Sequence, residues 1–219
     1  MSKAKVGQFI AQDGGRSWDG VGRVCAIFSL LLVLVAAGCQ RMVPLDTKPL
    51  DSAGMTYSAI KQLQALNITA VELNEIAKAR TAGLSDDKCI EMVQLYHERQ
   101  LPFNAGDTVA GLLRARLSGE TIVELARLNQ LGVNAGELQL IRLAGFSDAV
   151  VLEVARQEAA GKPVLSGASL STMKNAGMHE SMLLELLRRG VPDSEVATII
   201  AAHRRGARDV DVLRKYPAT

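Results

Sequence analysis

Four glutamates, Glu91, Glu124, Glu153 and Glu185, recur at intervals of 33, 29 and 32 residues. Carboxylates repeated in this way could trade protons with a polymer or form a ladder for cations. A plainer chemistry fits three of them better. Glu124 and Arg127, Glu153 and Arg156, and Glu185 and Arg188 stand three apart on one helix face. This predicts exposed ion pairs worth about 0.2–0.5 kcal/mol each. The histidines are His97, His179 and His203, and no two are spaced to share a metal on one helix turn. Cys89 precedes His97 by eight residues, and in an apolar helical stretch it reads as a small buried hydrophobe. The chain has no nucleophile elbow, phosphate-cradling glycine loop or metalloprotease helix motif. The expectation is therefore a protein without catalytic residues, metal site or bound cofactor.

The elements that carry these residues repeat. CIEMVQ (89–94), VELAR (123–127), LEVAR (152–156) and LELLRR (184–189) align. Each follows a turn: Ala82-Gly83-Leu84-Ser85, Ala115-Arg116-Leu117-Ser118, Ala144-Gly145-Phe146-Ser147 and Ala176-Gly177-Met178-His179. Gly83, Gly145 and Gly177 suit the left-handed position past a helix end, and the apolar residue that follows tucks into the corner. Ser85, Ser118 and Ser147 can cap the next helix, and His179 takes the same place as a turn residue. Ahead of the turns lie further helix starts. Thr69/Glu72 and Asn134/Glu137 have capping-box spacing, and Asn104-Ala105-Gly106-Asp107 and 166–169 mark two more.

Apolar residues in the first helices, such as Leu73 and Ile76 or Leu138 and Ile141, recur at helical spacing. The second helices do the same with Val123, Leu125 and Ala126, or Leu183, Leu186 and Leu187. Helices of this length are marginal alone in water, so neighbouring hairpins must stack. The fold class expected is all-α, with tandem helical hairpins of about 31 residues stacked as a short α-solenoid or a compact helical array. A final turn at 190–193 starts another helix through Ile199 and Ile200, and a short piece from Asp209 to Lys215 closes the end.

At the other end, Val24 to Gly38 is a run of fifteen uncharged residues. As a helix it reaches about 22 Å, short of the roughly 30 Å hydrocarbon core of a bilayer. Arg23 precedes it, small residues and Cys39 close it, and polar sequence follows at Gln40. This is the pattern of a cleaved secretory signal. Ala36-Ala37-Gly38-Cys39 resembles the lipobox of bacterial lipoprotein precursors, departing from it at Ala36, where leucine is commonest. The resemblance covers residues 24–39 only. It implies cleavage between Gly38 and Cys39, a diacylglycerol on the Cys39 thiol and an N-acyl chain on the new amino terminus. Two or more chains anchor stably where one does not. Gln40 in place of aspartate implies sorting to the outer membrane, on its periplasmic face. The leader before the run is long and contains Asp13, Asp19 and Trp18, whereas Val21-Gly22-Arg23 would itself make a compact start. Initiation at Val21 instead of Met1 is therefore an open alternative.

The division expected is a leader and signal at 1–38, a lipidated cysteine and extended tether at 39–56, and a helical-repeat domain at 57–219. Cleavage removes four basic residues of 25 and two acidic residues of 23, leaving 21 of each. That balance gives no support for nucleic-acid binding. The basic residues Arg188, Arg189, Arg204, Arg205, Arg208, Arg214 and Lys215 near the carboxyl end read as a solvated helix-end excess. With Cys25 removed and Cys39 lipidated, Cys89 has no partner for an intramolecular disulfide. The expected function is a non-catalytic scaffold or assembly accessory that binds a protein partner at the bacterial cell envelope. The alternatives are an enzyme acting on cell-wall glycan and a purely structural envelope lipoprotein.

Overall fold

A computed structural model describes residues 45–132 and 134–217. The leader, the lipobox with Gly38 and Cys39, and both candidate starts lie outside these residues. Among the described residues there are twelve α-helices and no strand. They are α1 (Lys48–Ser52), α2 (Tyr57–Ala65), α3 (Ala70–Thr81), α4 (Asp86–Glu98), α5 (Gly106–Arg114) and α6 (Gly119–Arg127). Then come α7 (Ala135–Leu143), α8 (Asp148–Ala159), α9 (Gly167–Asn175), α10 (Glu180–Arg188), α11 (Val196–Arg204) and α12 (Asp209–Leu213). A 3-10 turn, Asp193–Glu195, leads into α11.

Each helix packs on the helix two places along, so α1, α3, α5, α7, α9 and α11 form one row. The even-numbered helices form another, and α3–α4, α5–α6, α7–α8, α9–α10 and α11–α12 pack as hairpins across the rows. The fold is an all-helical array with one continuous core running from Leu50 to Val212. The apolar positions named from periodicity supply it: Leu73, Ile76, Leu138, Ile141, Leu125, Leu183 and Leu186 are all buried. Cys89 lies within this core, and burial pushes its thiol up to about 12.

The stretch expected to be an extended tether contains α1, whose Leu50 is fully buried and which packs on α3. Packed helical structure therefore lies ahead of the expected boundary at residue 57. Pro49 sits at the start of α1, where its missing N–H costs nothing.

Most helix ends share one device. The second residue past the helix takes positive φ, and the next N–H bonds back to a carbonyl five residues earlier, as in Leu84 to Ala79 and Met178 to Met173. Leu84 and Phe146 fill the corners and are buried, as their place in the turn predicts. Arg116 holds the left-handed slot that glycine holds in the sister turns, at φ 68°.

Candidate functional site

The carboxylates that sequence spacing assigns to local capping and local ion pairs reach across to neighbouring helices. Asp86, the first residue of α4, accepts the N–H and hydroxyl of Thr56, the N-cap of α2, at 2.9 and 2.7 Å. Asp148 does the same for Ser118 N–H at 2.9 Å and takes the Thr121 hydroxyl at 2.7 Å. Glu180 accepts from Ser147 N–H, and Asp193 from Ser166 N–H. Cations work at the opposite helix ends. Arg99 donates to the carbonyls of Ala126 and Arg127, Arg142 to that of Arg116, and Lys174 to those of Ala144 and Gly145. Acids thus meet the positive ends and bases the negative ends of adjacent helices, the arrangement that helix dipoles favour.

Capping agrees with sequence at some ends and departs at others. Thr69 and Glu72 form a reciprocal capping box, and Ser118 and Ser166 cap α6 and α9. The side chains of Ser85 and Ser147 make no capping bond. Asn134 does not cap α7; its amide donates to Gln130 Oε1 and Glu158 Oε2. Glu137 leaves the expected box to accept Gly167 N–H at 3.0 Å. Asn104 does not cap α5 either; Gly106 N–H is taken at 2.9 Å by Glu75 from α3. At α5 a carboxylate on the neighbouring helix thus takes the bond that the local side chain could have made.

The expected ion pairs need one correction. Glu124 pairs with Arg127, Glu185 Oε2 lies 4.0 Å from Arg188, and Glu153 lies 3.9 Å from Arg156. Glu153, however, is buried rather than exposed, and it also lies 3.7 Å from Arg188 and accepts from Gln157. Arg127 pairs across to Glu91 as well. Arg189, read from sequence as part of a solvated basic excess, binds the carbonyls of Leu213 and Tyr216 and pairs with Glu185.

Glu72 is the most heavily bonded acid. It is buried and accepts the Thr69 N–H and hydroxyl, the Phe103 N–H at 2.9 Å and His97 Nε2 at 2.6 Å. Burial pushes its carboxyl up, but the bonds from Thr69, Phe103 and His97 outweigh this and hold it below the usual value. A carboxylate only accepts, so His97 Nε2 carries the proton of that bond. This buried acid orients a histidine, yet no serine, cysteine or threonine hydroxyl or thiol approaches the ring within hydrogen-bond reach among the described residues. The pair fixes a loop. His179 is the N-cap of α10 without a side-chain bond, and His203 Nδ1 is buried without a partner among the described residues. No three His, Cys, Asp or Glu side chains converge among the described residues.

A groove of about 880 Å³ lies between α3 and α5. Its walls include Val71, Ala77 and Ala110, with Glu75, Lys78, Asp107 and Arg114 giving two charges of each sign. Lys78 Nζ lies 2.7 Å from both Glu75 and Asp107, which raises its pKa above the ordinary value. Next along the same row, α7 exposes Leu140 and Leu143, at 66% and 60%. A groove with apolar walls and self-paired charges can seat a segment of another molecule. Of the carboxyls whose acidity is displaced, Glu158 is pushed up by burial and the nearby charge of Glu137, while Glu72, Asp86, Asp148, Asp193 and Asp211 are pulled down.

Sequence reasoning passed over a second set of residues. Asn67, Gln100 and Asn129 end α2, α4 and α6 in the left-handed conformation, at φ 56°, 58° and 60°. Their spacing of 33 and 29 residues matches that of the glutamates and could have drawn notice. Comparison of the chain with protein-family models, curated proteins and solved structures finds no match.

Proposed function

We propose that this chain is a lipid-anchored protein of the bacterial cell envelope, held through Cys39 on the periplasmic face of the outer membrane. Its helical hairpins, repeating at about 31 residues, act as a short α-solenoid that binds a protein partner as a scaffold or assembly accessory. The single observation that carries the binding reading is the α3–α5 groove together with the exposed apolar side chains beside it, Val71 on α3 and Leu140 and Leu143 on α7. Exposed apolar side chains gathered beside a groove mark a surface made for contact.

The test is site-specific photo-crosslinking in intact cells from positions 71 and 110, with position 91 on the opposite row as control. The expected result is a discrete protein adduct from both groove positions, with the adduct from position 110 lost in Val71→Glu. Recovery of glycan alone would overturn the scaffold in favour of an activity on cell-wall polymers, and no adduct at all would favour a purely structural role. Mass spectrometry of the native protein tests the anchor separately. A bare Cys39 thiol with residues 1–38 attached would end the envelope assignment, and peptides from residues 1–20 in trapped precursor would exclude initiation at Val21.

A further inference from the structure

Three loops lie along one edge of the array, at 66–69, 99–105 and 128–132, each joining an even-numbered helix to the next odd one. Two depressions open on this edge, of about 450 and 410 Å³, and they share Leu101, which is 48% exposed. Asn67 and Gln100 line the first, and Asn104, Asn129 and Gln130 line the second. The second depression has no charged residue in its wall. The first contains Glu72 and His97, whose facing atoms are already bonded to each other.

The left-handed slot in these three loops belongs to an amide residue, whereas the corresponding slots after α8 and α10 are Gly161 and Gly190, at φ 65° and 63°. Glycine makes that turn without penalty, and glutamine is not among the side chains that tolerate it well. Gln100 thus holds its turn against the preference of its own backbone, as Arg116 does after α5. The side chains of Asn67, Gln100 and Asn129 are exposed and make no hydrogen bond among the described residues.

We propose that this edge binds an extended, uncharged peptide segment by its main chain, with Asn67, Gln100 and Asn129 as the recognising groups. A primary amide offers an acceptor and two donors, matching the N–H and C=O edge that a peptide unit presents. Packed helices lie about 8–10 Å apart, and an extended chain rises about 3.3 Å per residue. Successive amides therefore meet about every third residue of a chain running along the edge. Leu101, between the two depressions, offers an apolar contact for a side chain of the ligand. A glycan is the competing ligand, since the aromatic ring at the site, Tyr96, is partly exposed and packs at 89° to Phe103 with centroids 5.3 Å apart. The site is separate from the α3–α5 groove and needs neither the lipid anchor nor the partner proposed for that groove.

The experiment uses the purified native protein in detergent. It is applied to an array of peptides of about ten residues built from Ser, Thr, Val and Leu, long enough to span the three loops. The same peptides with N-methylated main chains, and chitooligosaccharides, are the comparison arms. A subset of the plain peptides is expected to bind and its N-methylated counterparts to fail. Gln100→Gly combined with Asn129→Gly is expected to weaken binding at least about tenfold. Glycine suits both slots, so this variant should keep its circular-dichroism spectrum and melting transition. Val71→Glu should leave peptide binding unchanged, which separates this site from the groove. The proposal is overturned if no peptide binds, if N-methylation or the double variant leaves binding intact, or if only the oligosaccharide is captured.

Discussion

Glu72 ties together three pieces of chain that are distant in sequence: the start of α3, the last turn of α4 through His97, and the loop to α5 through Phe103 N–H. Its burial makes the bonds matter. Replacing the carboxylate by alanine leaves the buried Phe103 N–H without its acceptor and frees the His97 ring, which is 30% exposed, to turn to water. A buried donor that loses its partner costs about 1–3 kcal/mol. Glu72→Ala is therefore expected to lower unfolding stability by about 3 kcal/mol, measured by urea denaturation, and to speed amide exchange at Phe103. Glu72→Gln keeps an acceptor oxygen and should cost about half as much. The capping box at Thr69 was legible from its spacing. The bonds to His97 and Phe103 were not, because nothing local to α3 shows what lies beside it.

At the scale of elements, α3 and α5 come close because residue 106 has no side chain. A Cβ there would stand 2.2 Å from the Glu75 carbonyl oxygen, a backbone atom that cannot swing aside. Alanine is the better helix former by about 1 kcal/mol, so propensity alone predicts that Gly106→Ala stabilises α5. The collision should win, and the variant should lose about 2 kcal/mol in chemical denaturation. Arg116 gives the opposite case. It is exposed and holds a left-handed turn that Gly83, Gly145 and Gly177 make elsewhere. Only its carbonyl is used, by Arg142. Arg116→Gly should raise stability by about 0.5–1 kcal/mol, read as a higher melting temperature, once the larger entropy of the unfolded glycine is subtracted. The departure of arginine from the glycine pattern was visible in sequence. The close approach at Gly106 was not, since that glycine reads as part of a helix start.

Across the whole molecule, the carboxylates that join neighbouring hairpins set its response to acid. Burial pushes up the carboxyls of Glu72, Asp86, Asp148 and Asp193, but the N–H and hydroxyl bonds they accept, with Arg80 at Asp86 and Arg142 at Asp148, hold all four below their ordinary values. Their unfolded values are about 3.9 for aspartate and 4.3 for glutamate. Lowered folded values mean that the stability they contribute is fully present above the unfolded pKa and is lost as pH falls through the folded ones. Glu158 has the opposite sign, since burial and Glu137 raise it, so protonating it relieves a small cost before the main loss begins. The melting temperature should stay nearly level from neutral pH to about pH 5 and fall steeply below about pH 4. Asp148→Asn should flatten that fall, as followed by circular dichroism.

Helices, their apolar faces and their turns are legible along the chain, because periodicity and left-handed slots are properties of a few adjacent residues. Leu73, Ile76, Leu84, Cys89 and Phe146 belong to the core on that basis, and all are buried. Which groups satisfy the helix ends depends on packing. It moved Glu137 from its own cap to Gly167, gave the Gly106 N–H to Glu75, buried Glu153 and folded α1 onto α3. The physical reason is that a carboxylate or guanidinium bonds to whatever donor or acceptor lies within about 3 Å. In a packed array of short helices, that neighbour is set by how the hairpins stack and not by the order of residues along the chain.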